Sequence, residues 1–161
     1  VTEDDIKYDH LVGRPFTGVG RDDCFALARE FYEDNFNISV LDVARPHDWS
    51  SDELDLLRLF HEKLGFQMIT DWKPKDLRPG DIMAMAIGER NANHLAVYAG
   101  NSKIVHHLYG KMSRAEDLRD FWFNHTCYIL RHPDVPDLRP VYPDVDLLSL
   151  IHARNATPKR R

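Results

Sequence analysis

The chain has 161 residues, 43% of them hydrophobic and 29% charged, with a formal net charge of −5. That length and balance suit one globular domain with room for a core. The negative charge argues against a nucleic-acid binder, which would show a basic surface. No apolar run approaches the ~20 residues that span a bilayer. The acidic start, Val1-Thr2-Glu3-Asp4-Asp5, does not read as a signal peptide, so folding in a reducing cytoplasm is the default expectation.

In chain order, residues 4–12 fit a short helix with Ile6, His10 and Leu11 on one face. Gly13 to Gly20 is rich in turn residues. The next stretch, Asp22-Asp23-Cys24-Phe25-Ala26-Leu27-Ala28, then opens a helix expected to run from about Asp22 to Asn35. Cys24, Leu27, Ala28 and Phe31 share a face at that spacing. Asp22 or Asp23 is its N-cap. Cys24 then lies in the first turn, where the helix dipole favours a thiolate, the nucleophilic form. The competing reading makes Cys24 a small apolar residue on a buried face.

Residues 37–50 look irregular. Ser50 or Ser51 ahead of Glu53 caps a second helix with Leu54, Leu57, Phe60 and Leu64 inward, stopped by Gly65. Phe66–Ile69 reads as a short strand, and Leu77-Arg78-Pro79-Gly80-Asp81 as a turn. The unbroken apolar run Ile82–Ile87 reads as a central strand. His94–Ala99 and Lys103–Leu108 are strands joined by a Gly100-Asn101 hairpin turn. Ser113–Phe121 is helix-capable, and Thr126–Arg131 is a last strand. Helices first and an antiparallel meander after indicate an α+β domain. After it comes an arm with Pro133, Pro136, Pro140 and Pro143, then an apolar cluster of Val145, Leu147, Leu148, Leu150 and Ile151. Prolines exclude a central strand there. The domain is therefore read as 1–132 and the arm as 133–161, dispensable for folding and used to dock on a partner.

A reactive cysteine needs a base. Of the nine histidines, His94 and one of His106 and His107 lie on neighbouring strands and can touch across the ~4.8 Å between them. The turn sets opposed positions to a sum of about 201, yet a one-residue slip exchanges the faces, so the choice between His106 and His107 stays open on register alone. A cysteine on a helix N-terminus, a histidine base and a group orienting that base form the general triad pattern. Two histidines without a carboxylate or thiol make a poor zinc set. Cys24 and Cys127 form no CxxC pair. Neither a metal, a disulfide nor a cofactor is expected.

The motifs GRPFTGVGRDDC, LRPGD, NHLAVY and HHLYGKMS, in that order and followed by a strand ending in RHP, resemble the NlpC superfamily of papain-like cysteine peptidases. The closer likeness is to its phage subgroup of tail assembly protein K-like chains. The resemblance spans about Leu11 to His132. It implies a papain-like fold with N-terminal helices packed on an antiparallel sheet. It implies Cys24 as nucleophile, His94 as base and then acid, and His106 as the group orienting His94. Asp23, Phe16 and His107 are carried over as the substrate-binding side. Many bacterial members have tyrosine in a Gly-x-Pro-Tyr context to steady the oxyanion. Phe16 stands there in Gly13-Arg14-Pro15-Phe16, leaving backbone N–H groups for that task.

The implied activity is hydrolysis of peptidoglycan stem peptides, at a D-γ-glutamyl to diamino-acid bond, through a Cys acyl-enzyme. The implied partners are that peptide and other phage tail-tip proteins, and the implied location is the virion tail, made in the host cytoplasm and acting at the cell wall. The alternative is a predominantly structural tail-tip component that keeps the peptidase fold.

Overall fold

Asp23 begins a helix of 13 residues. Its Oδ1 accepts the Ala26 N–H at 2.8 Å, satisfying one of the donors a helix leaves unpaired in its first turn. This helix, α1, spans Cys24–Phe36 and stops at Asn37, whose left-handed backbone lets its N–H close onto Glu33 O. Cys24, Leu27, Ala28 and Phe31 are buried as the spacing predicts, and Phe25 and Tyr32 widen the buried face. The computed structural model describes residues 2–19, 21–45 and 55–141.

Six strands follow: β1 (Gln67–Ile69), β2 (Ile82–Met85), β3 (His94–Gly100), β4 (Lys103–His106), β5 (Arg114–Asp117) and β6 (Thr126–Arg131). They pair antiparallel in the order β1-β6-β2-β3-β4-β5. Among the described residues there are also two short α-helices, α2 (Leu56–Phe60) and α3 (Asp120–His125). The fold is α+β, with N-terminal helices on one antiparallel sheet, as the sequence implies. Both sheet faces are covered. α1 packs over Leu95, Val97, Ala99 and Val105. Trp122 of α3 closes the other face over Met83, Met85, Ala96 and Ile104. That double burial is why β2 is apolar without alternation.

The turn ahead of β2 locks the sheet. Asp81 receives Arg131 Nε and Nη2, each at 2.7 Å, and the Arg78 N–H at 2.8 Å. The Tyr32 hydroxyl donates to Gly80 O. Gly80 has φ +94, and a Cβ there would meet Phe36 and Val135 at 3.0 Å, so the LRPGD motif needs its glycine both for conformation and for room.

Several elements differ from the sequence reading. Residues 4–12 make two single 3-10 turns, Glu3–Asp5 and Asp9–Leu11, instead of a helix. Asn35 takes the place of helical bonds between them: its Oδ1 accepts the Lys7 N–H at 2.7 Å and its Nδ2 donates to Lys7 O. The hairpin turn is Asn101-Ser102, with φ of 49 and 56, and not Gly100-Asn101. A register shift between Tyr98 and Gly100 moves the pairing, so that Ala96 faces His106. Within the stretch Ser113–Phe121, Arg114–Asp117 forms the edge strand β5 and α3 begins only at Asp120. Pairing with β4 outweighs helical propensity there, and its charges suit an edge. α2 is capped by Asp55, whose Oδ1 accepts the Arg58 N–H. The expected cap at Ser50 or Ser51 lies outside the described residues.

The packed region runs past the last strand. Leu138 is 7% exposed within the main core, Val135 packs beside it, and Asp137 pairs with Arg78 at 3.3 Å. The apolar cluster from Val145 to Ile151 lies outside the described residues. Among the described residues no helix is long and apolar enough to cross a membrane.

Candidate active site

Three segments converge on Cys24. The first is its own cap. Asp23 Oδ2 receives Arg45 Nε at 2.8 Å and Oδ1 receives Arg45 Nη2 at 3.1 Å. Arg45 is itself buried and lies over the Phe25 ring at 4.7 Å. The Asp23 carboxylate thus holds the helix start and neutralises a buried guanidinium together. The second segment is the approach to α1. Ser113 Oγ donates to Leu11 O and accepts the Arg14 N–H, while backbone bonds join Gly13 and Arg14 to Ser113. These bonds hold Phe16 over the cleft. The third segment is the entry to β3. Asn93 closes a loop onto the backbone of Ile87 through both side-chain atoms and so sets where His94 begins.

The Cys24 sulfur lies against the N–H groups of Leu95 and Phe25. The Leu95 contact brings it to the start of β3, beside His94. Cys24 is 5% exposed. Burial first, and the Asp23 carboxylate second, push its thiol up to about 12; the two N–H groups and Arg45 only partly oppose them. This reverses the thiolate expected from the helix dipole.

His94 is 4% exposed and His106 1% exposed. His94 Nε2 lies 3.0 Å from His106 Nδ1, with ring centroids 5.2 Å apart. Burial, then the neighbouring His106 and His107, pull the His94 pKa down to about 3. Burial likewise lowers that of His106. The resting site is therefore a neutral thiol beside a neutral imidazole. Trp122 packs edge-on to His106 at 4.7 Å and seals the far side.

His107 points to the opposite face from His106. Its Nε2 is 3.0 Å from Lys111 O, and since a carbonyl only accepts, Nε2 carries the proton. Its ring meets Phe16 edge-on at 5.7 Å. Phe16 leans on Tyr109 at 4.8 Å. Cys24, His94, His107, Phe16 and Tyr109 line a cleft of about 90 Å³. All six residues singled out from the sequence are thus gathered here: Cys24, Asp23, His94, Phe16 and His107 at the cleft, and His106 behind His94. Arg45, Asn93, Ser113 and Tyr109 were not singled out. Tyr109 stood within HHLYGKMS, so its motif was visible though its role was not.

Among the described residues one group, His10, Glu30 and Asp34, brings ligand atoms within 4.8 Å of one another. It is on the surface, with Glu30 engaged by Arg14 and His10 by Asp34.

The NlpC/P60 family profile matches residues 13–131. The chain belongs to the NlpC/P60 family. The match contains Phe16, Cys24, His94, His106 and His107. Among curated relatives of this NlpC/P60 chain, tail tip assembly protein K of Escherichia phage lambda is 30% identical over 123 residues, covering 76% of this chain and 59% of that protein. Tail tip assembly protein K of Escherichia phage N15 is 25% identical over 127 residues, covering 78% and 50%. The chain thus spans about half to three-fifths of the length of these relatives. NlpC1 and NlpC2 from Trichomonas vaginalis are similar solved structures, at 20% and 22% identity and TM-scores of 0.47 and 0.48. Each match covers 76% of this chain, with 40% and 42% of those chains.

Proposed function

We propose that this chain is a phage tail-associated cysteine peptidase that hydrolyses peptidoglycan stem peptides. The observation that carries the reading is the Cys24 sulfur at the start of α1, beside His94, with His106 bonded behind it. The names of the two phage relatives, both tail tip assembly proteins, support the tail association.

With Nε2 of His94 engaged by His106, Nδ1 is the nitrogen left for the thiol proton. Because both groups rest neutral, His94 removes the proton as Cys24 attacks the scissile carbonyl. His94 becomes an imidazolium whose Nε2–H donates to His106. It then gives its proton to the leaving amine, and the acyl thioester remains on Cys24. Water, deprotonated by His94, releases the acyl half and restores the thiol. The tetrahedral oxyanion rests on backbone N–H groups at the helix start, including that of Cys24, since Phe16 has no donor. Phe16, His107 and Tyr109 wall the cleft and hold the peptide extended across Cys24. Asp23 acts on the substrate only through the helix start it caps. No cofactor is needed.

The test is mass spectrometry of purified sacculi after incubation with the protein. The expected result is a muropeptide cut between D-γ-glutamyl and the diamino acid, lost in Cys24→Ala and His94→Ala and reduced but detectable in His106→Ala. Sacculi left intact under conditions in which the protein joins tail particles would favour the structural alternative, for which the burial of Cys24 is the supporting observation.

A further inference from the structure

β3, β4 and β5 lie side by side, and their registers set Ala96 opposite His106 and Ile104 opposite Glu116. Opposed residues of an antiparallel ladder share a face, and diagonal neighbours on it are within reach of long side chains. His94 lies two residues before Ala96, so it is diagonal to His106. Glu116 is opposite Ile104, so it is diagonal to His106 from the other side. The three side chains make one row across the sheet, each a strand further from Cys24. His94 Nε2 is 3.0 Å from His106 Nδ1, and His106 Nε2 is 3.7 Å from Glu116 Oε1.

His106 Nε2 is fully buried and has no hydrogen-bond partner among the described residues. A buried polar atom in that position calls for a reason. The bond to His94 supplies one. When His94 holds the thiol proton, both of its nitrogens carry hydrogen. Its Nε2 then donates, and His106 Nδ1 must accept. A neutral His106 that accepts at Nδ1 carries its own proton on Nε2, the nitrogen that faces Glu116. A carboxylate can only accept.

We propose that Glu116 is a positioning residue for the catalytic pair: it holds the His106 proton on Nε2, leaving Nδ1 free to accept from His94. The proposal rests on reading Cys24 and His94 as the peptidase pair. At 3.7 Å the carboxylate acts through its charge and direction more than through a short bond. The charged groups around the ring differ in sign. Glu116 favours a proton on His106, whereas Arg114, also on β5, and His107, next in the chain, oppose it. Arg114 Nη1 also lies 3.7 Å from Glu116 Oε1 and competes for it from the solvent side. His94 faces the ring from β3, and Trp122 covers it from α3 without a charge. Glu116 is partly exposed, so a substitution there opens no core cavity.

Nitrogen-15 NMR of the histidine rings, on the full chain between pH 6 and 8, reads the tautomer directly. The parent protein is expected to show His106 as the Nε2–H form. Glu116→Ala should lower the ratio of Nε2–H to Nδ1–H forms by about fivefold. Glu116→Gln, whose amide oxygen still accepts, should retain it. In muropeptide release, kcat should fall about tenfold in Glu116→Ala, recover in part in Glu116→Gln, and leave KM nearly unchanged. An Nδ1–H tautomer in the parent protein overturns the proposal whether or not any variant folds. So does a tautomer ratio that Glu116→Ala does not move. A chain with the expected tautomers that leaves sacculi uncut loses the peptidase reading and keeps the His106–Glu116 arrangement. A chain that cuts with tautomers indifferent to Glu116 loses only the role of Glu116.

Discussion

Cys24 shows two effects in opposition. Its position in the first turn of α1 favours a thiolate by ~0.3–1 kcal/mol, up to ~2 in partly buried geometries. The rise of its pKa to about 12 corresponds to roughly 4 kcal/mol against the thiolate, so burial wins. Alkylation of Cys24 should therefore climb with pH beyond 8.5 and show no plateau below pH 7. A plateau between pH 5 and 8 would instead reveal a preformed thiolate–imidazolium pair. Exposed Cys127 should label faster than Cys24 in the free protein. His94 makes a second prediction. Its folded pKa, about 3, lies below its unfolded value near 6.5, so the unfolded chain binds more protons between those limits. The stability this gives is complete above pH 6.5 and is lost as pH falls toward 3. Urea unfolding should show the parent losing roughly 3 kcal/mol more than His94→Gln between pH 6.5 and 4. Equal slopes would mean that His94 is solvated and protonates freely. The sequence exposed Cys24 and His94 because each opens an element recognisable from its own pattern. It hid Arg45, since nothing local joins that residue to Asp23 across 22 positions, and it hid the burial that reverses the thiol.

At the level of elements, the hairpin decided which histidine meets His94. A turn at Gly100-Asn101 sets opposed positions to a sum of 201 and aims His107 at His94. The Asn101-Ser102 turn pairs Gly100 with Lys103, a sum of 203, and the register shift between Tyr98 and Gly100 brings it to 202, which aims His106 there instead. A one-residue slip exchanges the faces, which is why periodicity alone left the choice open. Ser102 has φ 56, a conformation that suits glycine in this turn type. Ser102→Gly should raise stability by about 0.5–1 kcal/mol, read as a higher Tm. No gain would mean that the turn relaxes out of the left-handed region. The strand at Arg114–Asp117 was equally illegible, because charged residues on an edge look like a helix surface until β4 is beside them. The arm makes a further prediction. Truncation after Pro133 removes Leu138 from the core and Asp137 from Arg78, and should cost about 2–4 kcal/mol. Truncation after Val141 should leave the thermal transition of the domain where it was. An unchanged Tm after Pro133 would return the domain boundary to His132.

For the molecule as a whole, the family match, the sheet and the gathered side chains point the same way. The α+β class and the convergence of Cys24, His94 and His106 were legible because helix spacing, strand runs and short motifs carry that information locally. What the catalytic reading requires is a covalent step at one sulfur. The most direct measurement is intact-mass and peptide-mapping spectrometry of the protein, acid-quenched during turnover on a stem peptide containing the γ-glutamyl bond, alongside Cys24→Ala. The expected result is a mass gain equal to the acyl half of the peptide, located on the fragment containing Cys24, and neither adduct nor cleavage in the alanine variant. Cleavage by Cys24→Ala at the parent rate would contradict it.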